Sequence, residues 1–450
     1  MADDKPGWRF PRAFWIANTI ELFERAAYYG VFIALSVFLT SVAGFSDVEA
    51  GWVGALFSSL IYFLPFLTGA AADRMGFRAA LILAFILLAS GYAALGLLPH
   101  KTEVLAALLL VATGGAFVKP IITGTVAKSS SPVNRARAYS LFYMMVNIGS
   151  FTGKTIAKPV RTMLGLEYIP LYSAGAALIA LVIVLIFYWP ERRSAESTAA
   201  HPPPSLAGLL QVMRNGRFMS LIFITAGFWI IQGQLYASMP KYVLRTVGEQ
   251  ASPEWYANIN PFVVVLCVVP LTHLMRRRAA ITSIGVSLAL IPLSALLMSL
   301  SSQHAGHFLI GGLSIHPVTA AMIVGIALQG FAECFLSPRY LEYASRQAPV
   351  GQEGLYLGYS HLNTFFAWLT GFIASGYLLD AFCPDPAKLS ALAQAQRKAA
   401  VAGGGALPVE YAHAHYIWYV FAGVGAVAFL MLLVFHAVTR RDEARGRVAA

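Results

Sequence analysis

Five side chains in one apolar stretch have the types and spacing to act together. Glu21, Glu24, Arg25, Tyr28 and Tyr29 lie within residues 14–39, a run long enough to cross a bilayer. Their spacing, i, i+3, i+4, i+7 and i+8, puts them on one stripe of a helix. Asn18, Thr19 and Gly30 lie near its ends, and Ile16, Leu22, Phe23 and Val31 form an opposite side that can face lipid. A charge at the centre of a spanning helix costs roughly 2.5–3.5 kcal/mol, so the stripe must face protein or water. Three further ions lie deep in apolar runs: Lys119, Lys154 and Glu333. With Glu21, Glu24 and Arg25 they make three acids and three bases. Unpaired, the six would cost on the order of 15–20 kcal/mol, so the balance predicts pairing across a wet cavity. Lys119 precedes Pro120, which removes a backbone donor from its helix. A cation beside a loosened backbone is a ligand anchor suited to a carboxylate. Gly114 and Gly115, a turn earlier, would let another helix approach. Lys158 and Lys241 lie nearer helix ends, where snorkelling would accommodate them.

The elements that must position these groups are spanning helices. Of 450 residues, 58% are hydrophobic and 12% charged, too apolar for a soluble domain. Twelve segments are expected: 12–40, 50–72, 78–98, 103–127, 137–160, 168–189, 218–246, 256–275, 280–300, 316–341, 355–381 and 413–438. Pro190 ends the sixth, and residues 191–217, with Arg192, Arg193 and Pro202-Pro203-Pro204, read as a linker. This gives a six-helix bundle at 1–190, a linker at 191–217 and a second six-helix bundle at 218–450. Two such bundles are the organisation of the major facilitator fold, in which they rock about a central site. The net charge of +11 sits mostly in short loops, where Lys and Arg set topology; it does not signal nucleic-acid binding. Arg74, Arg78, Lys128, Arg135, Arg137, Arg192, Arg193, Arg276, Arg277, Arg278 and Arg346 fall on one side. Residues 40–51 and 301–316 contain no basic residue other than histidine, so both termini and the linker are expected in the cytoplasm. No cleavable signal is expected, because residues 1–11 are polar and the first apolar run is too long. The outer loop at 384–408 is expected to hold a helical piece at 387–401.

Gly69, Asp73, Arg74, Gly76 and Arg78 close the second segment in the pattern G-x-x-x-D-R-x-G-x-R. A tight Gly turn there, with arginines placed to cap carbonyls, reads as a conformational latch and says nothing of substrate. Cys267, Cys334 and Cys383 are scattered, without disulfide or metal spacing. His304 with His307, and His413 with His415, read as loop or interfacial histidines rather than metal ligands. No nucleophile–base arrangement or phosphate loop is visible, so no enzyme, no catalytic residue and no metal are expected. Trp255, Tyr256, Trp418 and Tyr419 read as interfacial anchors, and Met144 and Met145 as lipid or packing residues.

Taken in order, several of these motifs resemble the proton-dependent oligopeptide transporter family of the major facilitator superfamily. Glu21, Glu24, Arg25, Tyr28, Tyr29 and Gly30 resemble its first-helix signature. Tyr62-Phe63-Leu64-Pro65, Phe117-Val118-Lys119-Pro120, the Phe142-Tyr143 to Asn147-Ile148-Gly149 series, Phe228-Trp229, and Glu333 with Ser337-Pro338 are similar to its second, fourth, fifth, seventh and tenth helices. The resemblance implies a symporter importing di- and tripeptides or peptide-like compounds by alternating access in the bacterial inner membrane. It places Arg25 and Lys119 at the ligand carboxylate and Glu333 at its amino end. Tyr28, Tyr29, Tyr62, Asn147 and Trp229 would line the pocket; Lys154 and Ser337, which the resemblance does not assign, are expected in the substrate site as well. Glu21, Glu24 and Arg25 would couple protons, the proton being the coupling ion and no other cofactor being implied. Physics agrees: a carboxylate beside arginine keeps its charge, and takes a proton once the pair separates in a low-dielectric site.

The departures from the family pattern point elsewhere as well. Ala26 replaces a Phe, Phe32 stands where many members have a second Arg, and Gln232 and Gly233 stand where many have a carboxylate. The outer gate pair those two would form is absent as a pair. Lys154 is an added cation, two turns beyond Asn147, which would take over a gate role or favour acidic substrates. The alternative is therefore another metabolite or organic acid on the same scaffold, export included; a ligand-binding sensor without turnover is a third class.

Overall fold

The computed structural model describes residues 10–131, 134–189, 212–300, 308–310, 313–348, 353–403 and 405–448. Lys5, Arg9, Arg192, Arg193, His304, His307 and most of the linker lie outside them, as does the side chain of Asp73. The described residues are all-α apart from a short antiparallel hairpin, β1 (Phe308–Ile310) and β2 (Leu313–Ile315), within the stretch expected as an outer loop. It separates into two compact units, Met1–Gly44 with Leu60–Ser205, and Phe45–Ser59 with Leu206–Ala450. Residues 45–59, placed by the sequence in the first bundle, thus group with the second unit.

Among the described residues ten helices are long and apolar enough to cross a membrane. Two further expected segments depart from a simple span for visible reasons. The second is cut into α2 (Asp47–Phe63) and α3 (Pro65–Met75), because Pro65 has no N–H to continue the ladder. The fifth forms one helix, α6 (Arg135–Met163), in which Asn147, Ser150, Thr152, Lys154, Thr155 and two glycines dilute the apolar run.

In the first unit α1 (Arg12–Ser41) packs on α6 and on α7 (Tyr168–Phe187), while α4 (Phe77–Leu97) packs on α5 (Lys101–Lys128) and α7. Small residues permit this. A Cβ at Gly149 would lie 2.5 Å from the carbonyl oxygen of Leu22, and Gly153 presses closer still on the Ala26 carbonyl. The two glycines, four apart on α6, therefore seat it directly on the charged stretch of α1. Gly114 does the same for α5, where a Cβ would lie 2.7 Å from the Ala84 carbonyl oxygen; Gly115, expected to share that role, has no such neighbour within 4 Å. Val31, expected to face lipid, is buried.

In the second unit α8 (Gly216–Gln232) packs on α16 (Leu362–Phe382) and α18 (Tyr416–Val448). Between α8 and α16 in sequence come α9 (Gln234–Ala237), α10 (Met239–Thr246), α11 (Pro253–Tyr256), α12 (Ile259–Met275), α13 (Ala280–Ser299), α14 (Pro317–Gln347) and α15 (Glu353–Ser360). Helix α14 packs on both α12 and α13. The outer loop contains α17 (Ala391–Val401), slightly shorter than the expected piece.

If close helix approach fixes the α1 stripe, enlarging Gly153 must disturb it. Gly153→Val is expected to cost about 1–3 kcal/mol by overpacking, read as a lower midpoint of thermal unfolding for purified protein. Gly115→Ala is expected to be neutral or slightly stabilising in the same assay.

Candidate functional site

In the first unit, α1 brings the expected ionic stripe together. Glu21 and Glu24 are about as buried as any side chain in the molecule, at 1% and 2% exposure. Arg25 lies between them: its Nε is paired with Glu24 and stands 3.3 Å from Glu21 Oε1. Its guanidinium also lies 5.3 Å from the centre of the Tyr28 ring, which stacks on Phe32. One atom of the set is left over, since Glu21 Oε2 is buried without a hydrogen-bond partner among the described residues. Lys119, on α5, is near enough to act electrostatically on Arg25, Glu21 and Glu24. Its side chain is exposed although Phe117 and Val118 beside it are buried, and its Nζ lies 5.8 Å from the centre of the Tyr62 ring.

Two α6 residues join this group less directly. Asn147 donates to the carbonyl of Tyr143 in its own helix, at 2.8 Å. Lys154 is 1% exposed, with Nζ 5.6 Å from the centre of the Tyr29 ring. Lys158 is buried too, which corrects the expectation that it snorkels.

Glu333, Ser337 and Trp229 lie in the second unit. Glu333 Oε2 accepts from Gln232 Nε2 at 2.6 Å and from Asn260 Nδ2 at 3.3 Å. Trp229, one turn before Gln232, has its indole N–H buried without an acceptor among the described residues. Ser337 is half-buried on α14, one turn after Glu333.

An ion cluster missed in the sequence also lies in the second unit. Asp47 accepts from Lys241 Nζ at 2.8 Å and from both terminal nitrogens of Arg245, at 2.9 and 2.8 Å. Arg245 further donates to the Cys383 carbonyl at 2.6 Å and approaches Asp385 at 3.3 Å. Lys241 is therefore a buried ion-pair partner rather than a snorkelling residue. The segment carrying Asp47 opens with a capping box: Glu49 N–H donates to Ser46 Oγ, and Ser46 N–H to Glu49 Oε2. Gly51 lets it lie on α16, where a Cβ would be 2.8 Å from the Phe372 carbonyl oxygen.

The residues expected as a latch lie along the end of α3 and the turn into α4. Gly76 takes φ +84°, which favours glycine. Arg78 donates to the Leu185 carbonyl at 2.8 Å and stacks 3.6 Å from the Trp189 ring centre, tying this turn to the end of α7. Gly69 has open space about it and Arg74 is exposed. Trp418, expected as an interfacial anchor, is instead fully buried against Tyr242, whereas Trp255 and Tyr419 are exposed. Among the described residues no group of three or more His, Cys, Asp or Glu could hold a metal.

Long apolar helices carrying buried, paired ions define a polytopic α-helical membrane protein. A family model described as Major Facilitator Superfamily matches residues 18–312, and the chain belongs to that superfamily. It is 27% identical to dipeptide and tripeptide permease B of Xenorhabdus bovienii (strain SS-2004) over 53% of this chain. That match spans 49% of the permease, about half its length. Multidrug resistance protein MdtH of Edwardsiella ictaluri (strain 93-146) is 24% identical over 78% of this chain and 83% of its own. Among solved structures, a POT family transporter in complex with 5-aminolevulinic acid superposes with a TM-score of 0.74 at 17% identity, covering 97% of this chain and 98% of the other. That likeness establishes the fold.

The Asp47 cluster yields a stability test. Asp47→Asn leaves Lys241 and Arg245 buried with too little counter-charge and is expected to cost about 3–5 kcal/mol. Adding Lys241→Met is expected to recover part of the loss, measured as the unfolding midpoint of the purified variants.

Proposed function

We propose that this chain is a proton-coupled symporter that imports di- and tripeptides or peptide-like compounds. The observation that carries the reading is the buried α1 set: two carboxylates sharing one arginine, with Glu21 Oε2 unpartnered among the described residues and the accessible Lys119 within electrostatic reach. A ligand carboxylate that draws on Arg25 and Lys119 competes with Glu21 and Glu24 for the same positive charge. Glu21, already without a partner on one oxygen, then takes a proton to stay in its apolar surroundings. Release of ligand and proton on the other side of the membrane resets the pair. Glu333 receives the ammonium end, and Tyr28, Tyr29, Tyr62, Asn147, Trp229 and Ser337 complete the substrate contacts. Gly69, Asp73, Arg74, Gly76 and Arg78 form the latch that holds the conformations apart. The similarity to dipeptide and tripeptide permease B and to solved POT family structures supports this reading. The protein would sit in a bacterial inner membrane with both termini in the cytoplasm, the side on which the basic loops fall.

A second reading is favoured by the longer match to multidrug resistance protein MdtH. In it the same scaffold moves another metabolite or an organic acid, outward transport included. Counterflow in proteoliposomes with a panel of peptides, organic acids and drug-like cations separates the two. The peptide reading requires that short peptides with free termini exchange; its failure with exchange of another class establishes the second.

Two variants test the assigned roles. Glu21→Gln is expected to abolish accumulation driven by an acidic exterior while leaving counterflow in place; uphill uptake at the parent's level overturns the coupling role. Lys154→Ala is expected to change the ranking of acidic over neutral peptides, or the rate of transport; an unchanged profile and rate remove Lys154 from the site.

A further inference from the structure

Gln232 ends α8, and its amide nitrogen is 2.6 Å from Glu333 Oε2. Asn260, from α12, donates to the same oxygen at 3.3 Å. Residue size brings the three helices to this meeting. Gly330 lies one turn before Glu333 on α14, and a Cβ there would lie 2.8 Å from the Asn260 carbonyl oxygen. Without that Cβ, α12 settles against α14 at the level of Asn260. Gln234, two residues on, turns to the opposite face and donates to the carbonyls of Ile230 and Gly371. Of the two glutamines, Gln232 alone addresses the charge.

We propose that Gln232 is a positioning residue that fixes the Glu333 carboxylate and so sets the protein's preference for ligands bearing a primary ammonium group. The inference rests on the peptide reading for its ligand class. An ionised carboxylate only accepts hydrogen bonds, and two amide donors on one of its oxygens fix its plane. An amide also adds no second negative charge. A carboxylate at the same distance would force the two acids to share a proton, weakening the fixed charge offered to an ammonium group. The neutral residue in place of the family's acid thus acquires a role: it supports the acid on the neighbouring helix.

The test measures binding of Ala-Ala, its N-acetyl derivative and Ala-Ala amide to the purified full-length protein by calorimetry. Gln232→Met keeps the side-chain length and removes the donor. It is expected to reduce the preference for Ala-Ala over N-acetyl-Ala-Ala about tenfold, with N-acetyl-Ala-Ala affinity and unfolding midpoint unchanged. If Gln232→Met does not fold, Gln232→Ser, too short to reach Glu333, reads the same ratio. Gln234→Met serves as the contrast, expected to lower stability without moving the ratio. An unchanged ratio, or equal weakening of both ligands, overturns the proposal and leaves the peptide reading intact. A parent that binds the amide but neither carboxylate-bearing ligand overturns the peptide reading and leaves the ammonium preference standing. A parent that binds none of the three overturns both.

Discussion

An ionised side chain within an apolar helix must find a counter-charge, and both units of this chain are arranged around that demand. In the first, Arg25 is shared by Glu21 and Glu24; in the second, Asp47 is shared by Lys241 and Arg245. The two clusters differ in saturation. Asp47 has donors on both oxygens, and Arg245 is further held by the Cys383 carbonyl. The α1 cluster keeps a buried carboxylate oxygen without a partner among the described residues. A saturated cluster rigidifies, whereas an unsaturated one retains a reason to change its protonation or its partners. That contrast is the ground for proposing an anchoring role for Asp47 and a chemical role for Glu21.

Glycines convert this electrostatic demand into geometry. Gly149 and Gly153 seat α6 on the backbone of α1 beside Leu22, Arg25 and Ala26, and so bring Lys154 towards Tyr29. Gly330 admits α12 to α14 and brings Asn260 to Glu333. In each case a backbone approach that a single methyl group would block sets the surroundings of a charge on the same helix.

Much of this was legible from spacing. The α1 stripe follows from helical periodicity because all its members lie on one element. The latch turn follows from Gly76, and the break before α3 from Pro65, since both act on their own backbone. The Asp47 cluster was not legible, because its partners lie 194 and 198 residues away and nothing local marks Lys241 as paired. Its position near a helix end suggested snorkelling, which is the commoner fate of such a lysine. Trp418 was misplaced for a similar reason: an aromatic near a helix end looks interfacial until its tertiary neighbours are known. The Gln232–Glu333 contact lay beyond reach as well, because the missing carboxylate at that position read as a loss rather than as a replacement donor.

The central claim is that ligand and proton compete for one arginine-centred charge on α1. It is tested most directly in proteoliposomes holding a pH-sensitive dye, with equal pH inside and outside and the membrane potential clamped at zero. Addition of a dipeptide outside must acidify the lumen as the peptide enters, and Glu21→Gln must abolish the acidification. Peptide entry with no change in luminal pH would contradict the account.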